Sequence, residues 1–151
     1  MDSLRELYQD VILDHHRKPR NRREMPEASA KASGHNPLCG DRVSVFVKMA
    51  GDVLQDVTFV GSGCAISQAS ASMMTDCLKG RTRADIDRVV TAFQRLVTDA
   101  DAAMPEGDDL VEKLEAFAGV RDFPSRVKCA SLAWHALRAA LEQPDHTVST
   151  E

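Results

Sequence analysis

The stretch of sequence that decides the fold is VSVFVKMAGDVLQDVTFV, at residues 43–60. From Val43 to Met49 every second residue is apolar, which is the pattern of a strand with one buried face. A turn at Gly51 follows, and the rest of the stretch again favours a strand. The pattern therefore predicts an antiparallel β-hairpin, and a third strand is predicted around residues 28–33.

Helical periodicity surrounds this hairpin in five segments. They are residues 3–16, 64–78, 82–97, 110–118 and 125–142. The third of them has the clearest apolar stripe, and Thr82 is placed to cap its start. Because the strands come first and most of the helices after, we predict an α+β fold. It would have a small antiparallel sheet of about three strands packed against several helices.

The length and composition indicate one domain with its own core. The chain has 151 residues, of which 43% are hydrophobic, so it needs no disulfide or metal to fold. We predict a single domain over residues 1–143 and a flexible C-terminal tail over residues 144–151. The formal net charge of −4 argues against a nucleic-acid binder, which needs a basic surface.

The sequence also argues against a membrane protein. It contains no apolar run near the about 18 residues that suggest a membrane-spanning helix. The first ten residues, MDSLRELYQD, have the features of neither a secretory signal nor a transit peptide. We therefore expect a cytoplasmic location, where thiols stay reduced. Four cysteines in that compartment indicate metal binding or catalysis more than disulfides.

Three of the four cysteines lie where a thiolate would be favoured. Cys39 is in the loop sequence PLCGD, Cys64 follows a glycine turn at a predicted helix start, and Cys129 is predicted in the first turn of the last helix. Asp41 lies two residues beyond Cys39. Three thiolates and one carboxylate would suit a tetrahedral zinc ion. The spacing by itself is a weak indication, because isolated cysteines are more often small core residues.

Cys77 is different from the other three. It lies on the same predicted helix as Cys64, and at about 1.5 Å per residue the two are roughly 20 Å apart. They cannot share one metal ion. Cys77 also falls on the apolar face of that helix, so we predict that it is a core residue.

The sequences around the three cysteines resemble the IscU/SufU family of iron–sulfur cluster assembly proteins. The matching blocks are YQDVILDHHRKPRN (8–21), GHNPLCGDR (34–42), GSGCAISQASASMM (61–74) and RVKCASLAWHAL (126–137). Two features favour the SufU type. Lys128 stands where IscU proteins have a histidine before the last cysteine, and residues 99–123 look like the SufU insertion.

The resemblance implies a metal site and a reaction. It implies zinc bound by four residues, which are Cys39, Asp41, Cys64 and Cys129. It implies a sulfurtransferase in which Cys39 accepts persulfide sulfur from a SufS-type cysteine desulfurase, with Arg126 near the metal and able to influence ligand exchange. Sulfur would then pass to a SufBCD-type assembly complex.

Two other functions stay open for the same residues. The first is a scaffold that assembles a [2Fe–2S] cluster at this site, because thiolates bind iron and zinc alike. The second is a purely structural zinc domain, although closed structural sites favour Cys and His over a carboxylate. His35 is a candidate outer neighbour of the site. The basic run at residues 17–23 is either a solvated helix end or a docking surface.

Overall fold

The structure is a computed structural model. It describes residues 2–37, 40–99, 101–142 and 147–149, with side chains for residues 9–37, 40–99 and 101–142. In chain order the elements are α1 (Asp2–Arg17), β1 (Ala30–Asn36), β2 (Asp41–Ala50), β3 (Val53–Ser62), α2 (Ala65–Leu78), α3 (Arg83–Thr98), α4 (Asp109–Glu112), the 3₁₀ segment (Lys113–Asp122), α5 (Pro124–Glu142) and β4 (Thr147–Ser149).

The sheet has the order β3-β2-β1-β4. The pairs β1·β2 and β2·β3 are antiparallel, which confirms the predicted α+β class with three antiparallel strands. The short strand β4 adds to the other edge and runs parallel to β1. The flexible tail over residues 144–151 stays a prediction. Within it the structure describes only Thr147–Ser149, which it pairs with β1.

The alternation seen in the sequence orients β2. Val43, Val45 and Val47 are buried with relative exposures of 2%, 0% and 0%, so this side of the strand faces the core. A register irregularity follows between Lys48 and Met49. The third strand, predicted around residues 28–33, begins two residues later and extends to Asn36, because its pairing with β2 continues to Asp41.

Helices α2 and α5 pack together inside the domain and contact the sheet. Nearly every residue of α2 is buried, as expected of a helix covered on several sides. The apolar stripe of α3 is buried as predicted, and Thr82 accepts a hydrogen bond from Asp85 N at 3.2 Å as its cap. Phe93 of α3 stacks on Trp134 of α5, with ring centroids 4.2 Å apart. Among the described residues, no helix has both the length and the hydropathy to cross a bilayer.

The predicted helix at 110–118 is only partly correct. The chain makes the short helix α4 and then continues as the 3₁₀ segment, which runs past the expected stop at Gly119 to Asp122. Arginine side chains hold this region to the core. Arg81 donates to Asp108 at 2.6 Å, and Arg121 donates to the carbonyl of Leu96 at 2.7 Å.

The basic run at residues 17–23 is tied to its own domain. Arg20 forms a salt bridge with Asp14, and Arg23 forms one with Asp56, both at 2.6 Å. Arg22 donates to the carbonyl of Gly61 at 2.9 Å. These partners favour the interpretation that the run fastens the connection between α1 and β1 to the rest of the fold.

Candidate metal centre

Three of the four predicted ligands converge in the structure. The ligand atoms of Asp41, Cys64 and Cys129 all lie within 4.8 Å of one another. Each residue comes from a different part of the fold, since Asp41 begins β2, Cys64 precedes α2 and Cys129 lies in α5. Cys39 lies outside the described residues, so its place in the site stays a prediction.

Asp41 is held in place by two neighbours. Its side chain is fully buried, and its backbone pairs with Asn36 at the end of the β1–β2 ladder. Its carboxylate oxygen Oδ1 accepts the backbone N–H of Cys64 at 2.8 Å. Oδ2 lies 3.7 Å from the Sγ atom of Cys64. A buried carboxylate needs such partners, and here the partner is itself a predicted ligand.

Cys64 occupies the start of a helix, as the sequence predicted. It is the N-cap of α2, and its Sγ atom accepts the backbone N–H of Ser67 at 3.4 Å. The thiol is exposed. The Cys64 sulfur therefore lies at a helix N-terminus and is open to a partner.

Gly63 makes the close approach of these two ligands possible. It has a φ angle of +140°, in the region that favours glycine. A Cβ atom at this position would lie 2.1 Å from the Oδ1 atom of Asp41 and 2.9 Å from its Cα atom. No side chain fits there, so a glycine before Cys64 is required for Asp41 to reach the site.

Cys129 does not lie where the sequence placed it within its helix. Helix α5 begins at Pro124, so Cys129 is its sixth residue and belongs to the second turn. The effect of the helix dipole is confined largely to the first turn, so Cys129 lies beyond its main reach. Cys129 is only 4% exposed. Its Sγ atom lies 3.9 Å from the Nδ2 atom of Asn36, which donates to it.

Asn36 is a residue of the site that the sequence analysis missed. The sequence singled out its neighbour His35. Successive side chains of a strand point to opposite faces, and in β1 the residues at 32, 34 and 36 are the buried ones. Asn36 therefore faces Cys129, whereas His35 is on the other face. Counted forward from Ala32, the two-residue strand period places Asn36 on the same face as Ala32.

Cys77 is a core residue, as predicted. Its side chain is 2% exposed and belongs to the apolar core. Burial raises the pKa of the Cys77 thiol to about 11, so it stays protonated and unreactive at neutral pH. It is not among the residues whose ligand atoms converge.

Arg126 lies one turn before Cys129 at the start of α5. Its side chain is exposed, and its guanidinium carbon lies 4.6 Å from the centre of the Phe123 ring. Both residues line an open, mostly apolar groove of about 620 Å³. The rest of the groove comes from α1, the start of α2 and the 3₁₀ segment, so it adjoins Cys64 through Ala65 and Ile66.

The donor set fits a thiophilic metal ion. A tetrahedral zinc ion with Zn–S bonds of about 2.3 Å holds two thiolates about 3.8 Å apart. The donor atoms of Asp41, Cys64 and Cys129 are within 4.8 Å of one another, so the two sulfur atoms would have to approach by at most about 1 Å. Two thiolates and a carboxylate suit zinc, and they suit iron as well.

Comparison with known proteins places the chain in a family. Residues 7–148 match the NifU-like N terminal domain family. The chain is 39% identical to the zinc-dependent sulfurtransferase SufU of Bacillus subtilis, over 95% of each chain. It is 36% identical to the iron–sulfur cluster assembly scaffold protein IscU of Streptococcus pyogenes, over 95% of this chain and 87% of that one.

A solved structure shows the same fold. It is the crystal structure of a SufU protein from Fervidobacterium islandicum, described as an iron–sulfur cluster assembly scaffold for the SUF system. It superposes with a TM-score of 0.79 at 29% identity, over 88% of this chain and 95% of that one. Together with the family match over residues 7–148, this shows that the chain belongs to the NifU-like N-terminal domain family of iron–sulfur cluster assembly proteins.

Proposed function

We propose that this protein is a zinc-dependent sulfur acceptor that takes persulfide sulfur from a SufS-type cysteine desulfurase. The observation that carries the proposal is the convergence of Asp41, Cys64 and Cys129, of which the Cys64 thiol is exposed. The likeness to the sulfurtransferase of B. subtilis supports it, because that protein matches this chain along nearly its whole length. We propose that Cys39 is the fourth ligand and the sulfur acceptor.

The proposed site joins two kinds of donor. Zinc, when bound, would keep the cysteines deprotonated and shield them from oxidation. Asp41 supplies a hard oxygen donor among soft sulfur donors, and a borderline metal ion holds such a donor less firmly than thiolates. Closed structural zinc sites usually have Cys or His as ligands instead of a carboxylate. The carboxylate therefore favours a site in which ligands exchange.

The transfer step needs no external oxidant or reductant. The Cys39 thiolate attacks the outer sulfur of the desulfurase persulfide, as in thiol–disulfide exchange. A new S–S bond forms on Cys39 while the S–S bond of the donor breaks, and the electron pair leaves on the donor cysteine as a thiolate. The proton of the persulfide stays with the transferred sulfur or is released to solvent. We propose that the positive charge of Arg126 assists exchange at Cys39.

The groove beside the site supports the proposed docking of the desulfurase. It is mostly apolar, it is open, and its lining includes two of the large exposed apolar side chains, Leu13 and Phe123. An exposed apolar patch next to a reactive site is typical of an interaction surface. A desulfurase bound there would be positioned beside Cys64. We further propose that the reaction takes place in the cytoplasm and that a SufBCD-type complex receives the sulfur.

Desulfurase turnover tests this function. A SufS-type desulfurase is assayed for alanine release with and without the protein, and the zinc content is measured alongside. We expect strong stimulation by the zinc-loaded protein and none by Cys39→Ser. The control is Cys77→Ala, which removes a buried thiol and should keep full stimulation. Full stimulation by Cys39→Ser would refute the assignment of Cys39.

A second candidate function is favoured by one comparison. The IscU protein of S. pyogenes, at 36% identity, is a cluster assembly scaffold, so a [2Fe–2S] cluster at the same residues is the alternative. Metal analysis and a visible spectrum of freshly purified protein separate the two. Colourless protein with one zinc ion per chain supports the sulfur acceptor. Brown protein that contains iron and sulfide supports the scaffold.

A further inference from the structure

Asn36 is a fully buried polar residue at the last position of β1. Its backbone lies directly across the hairpin from Asp41. A buried amide without hydrogen-bond partners lowers the stability of the fold by about 1–3 kcal/mol, so an apolar residue would give the more stable packing. An amide side chain in this buried position indicates that its N–H groups donate hydrogen bonds.

One of those donors points at a predicted metal ligand. The Nδ2 atom of Asn36 lies 3.9 Å from the Sγ atom of Cys129, in a place where Cys129 is 4% exposed. The other described ligand thiol has a donor as well, because the backbone N–H of Ser67 lies 3.4 Å from the Sγ atom of Cys64. The fold therefore supplies an N–H group to each of these two sulfur atoms.

We propose that Asn36 is a positioning residue that keeps Cys129 as a fixed ligand of the metal, by donating its side-chain N–H to the Cys129 thiolate. Such a bond spreads part of the negative charge of the sulfur onto the amide. The sulfur then attacks electrophiles more slowly. Reaction with an electrophilic sulfur is thereby directed away from Cys129.

This inference rests on the proposed metal site, but it does not depend on the identity of the sulfur donor. Replacing a residue that donates a hydrogen bond to a metal ligand typically lowers metal affinity by about 10–100-fold. A residue that merely supports the hairpin would loosen the fold without changing which cysteine is reactive. The two roles can therefore be separated by measuring affinity and cysteine reactivity together.

The test compares Asn36→Leu with a matched control. Leucine has a similar volume and lacks the donor. The control is Ser70→Ala, because Ser70 donates to the carbonyl of Ala130, the residue after Cys129, at 2.6 Å. Ser70 also accepts a hydrogen bond from Trp134 Nε1 at 3.0 Å, so this control removes two buried hydrogen bonds close to Cys129 and leaves the donor to its sulfur intact. Zinc affinity is measured by competition with a chromophoric chelator. We expect about 10–100-fold weaker binding for Asn36→Leu and no measurable change for Ser70→Ala.

Cysteine reactivity gives the second measurement. Each protein is treated with iodoacetamide at saturating zinc, and the labelled cysteines are mapped by mass spectrometry over time. We expect Cys129 to be labelled faster in Asn36→Leu than in the wild type, and Ser70→Ala to match the wild type. If Asn36→Leu and Ser70→Ala have the same zinc affinity and the same labelling pattern, the proposal is wrong.

A measurement on the wild-type protein covers the case in which Asn36→Leu does not fold. The protein is loaded with ¹¹³Cd, and scalar coupling between the metal and amide protons is recorded by NMR. We expect coupling to a side-chain amide proton of Asn36, transmitted through the hydrogen bond and Cys129. Coupling to the Ser67 amide without coupling to Asn36 would overturn the assignment. None of these results requires a desulfurase, so a failure of the proposed function would show separately in the turnover assay.

Discussion

Gly63→Ala tests whether the site depends on the close approach of Asp41 to the β3–α2 turn. The new methyl group would lie 2.1 Å from the Oδ1 atom of Asp41, whereas ordinary contacts begin at 3.4 Å. The carboxylate would have to retreat by more than 1 Å, and it would lose its hydrogen bond from the Cys64 N–H. Asp41 would then no longer point at the two sulfur atoms.

The expected magnitude has two parts. A non-glycine residue at a φ of +140° costs about 1–3 kcal/mol in backbone strain. A lost hydrogen bond to a charged group costs about 1.5–3 kcal/mol. We therefore expect the free energy of unfolding of the metal-free protein to fall by about 2.5–6 kcal/mol. Zinc affinity should fall at least about 100-fold, because replacing a residue that only hydrogen-bonds to a ligand already lowers metal affinity by about 10–100-fold.

The assays are urea unfolding followed by circular dichroism and chelator competition for zinc. The matched control is Gly107→Ala. Gly107 also has a positive φ angle, +98°, but a Cβ atom there would meet no atom within 4 Å. The control should lose stability through backbone strain and keep its zinc affinity. If Gly63→Ala binds zinc as tightly as Gly107→Ala does, then Asp41 is not held in the site by the turn and our account of the geometry is refuted.

Two further predictions concern other parts of the protein. Burial lowers the pKa of His15, whose ring Nδ1 atom lies 2.7 Å from the Oγ atom of Ser72. The unfolded chain therefore takes up a proton at higher pH than the folded protein does, and stability should fall as the pH drops below about 6.5. The assay is urea unfolding at several pH values, where His15→Gln should reduce the dependence of the unfolding free energy on pH by up to about 1.4 kcal/mol per pH unit. The control is His16→Gln, at an exposed position. Parallel profiles for wild type and His15→Gln would contradict the prediction. In the docking groove, Phe123→Asp should raise the concentration of protein that half-saturates the desulfurase and leave the maximal turnover unchanged. Val53→Asp, an exposed apolar residue outside the groove lining, should have no effect, and equal effects of both variants would argue against the groove as the docking surface.

The sequence by itself determined the local elements. In a strand with one buried face, apolar residues occupy every second position, and Val43, Val45 and Val47 of β2 do so. The stripe of α3 repeats at the helical period, and its six apolar residues are all buried, namely Ile86, Val89, Val90, Phe93, Leu96 and Val97. Where the pattern was weak, the prediction was only partly correct. The segment after Asp109 contains too short a periodic run to separate an α-helix from the 3₁₀ segment that follows it.

The sequence also identified residue types for the site, through chemistry and resemblance. It singled out four residues, Cys39, Asp41, Cys64 and Cys129, because soft thiolates and a carboxylate suit a thiophilic metal. It separated Cys77 from the others by distance along one helix, since a rigid helix converts sequence separation into length. These inferences concern one element at a time, and for such inferences the sequence is sufficient.

Only the tertiary structure decided which side chains meet. Asp41 and Cys129 are far apart in the chain, and their distance depends on how α5 packs against β1 and β2. That packing is also what brings Asn36 to the sulfur of Cys129 at 3.9 Å. The need for glycine at position 63 follows from the same convergence, because the atom that a side chain would strike belongs to Asp41. Periodicity describes the neighbours of a residue within its own helix or strand, and contacts between elements depend on the packing of the whole core.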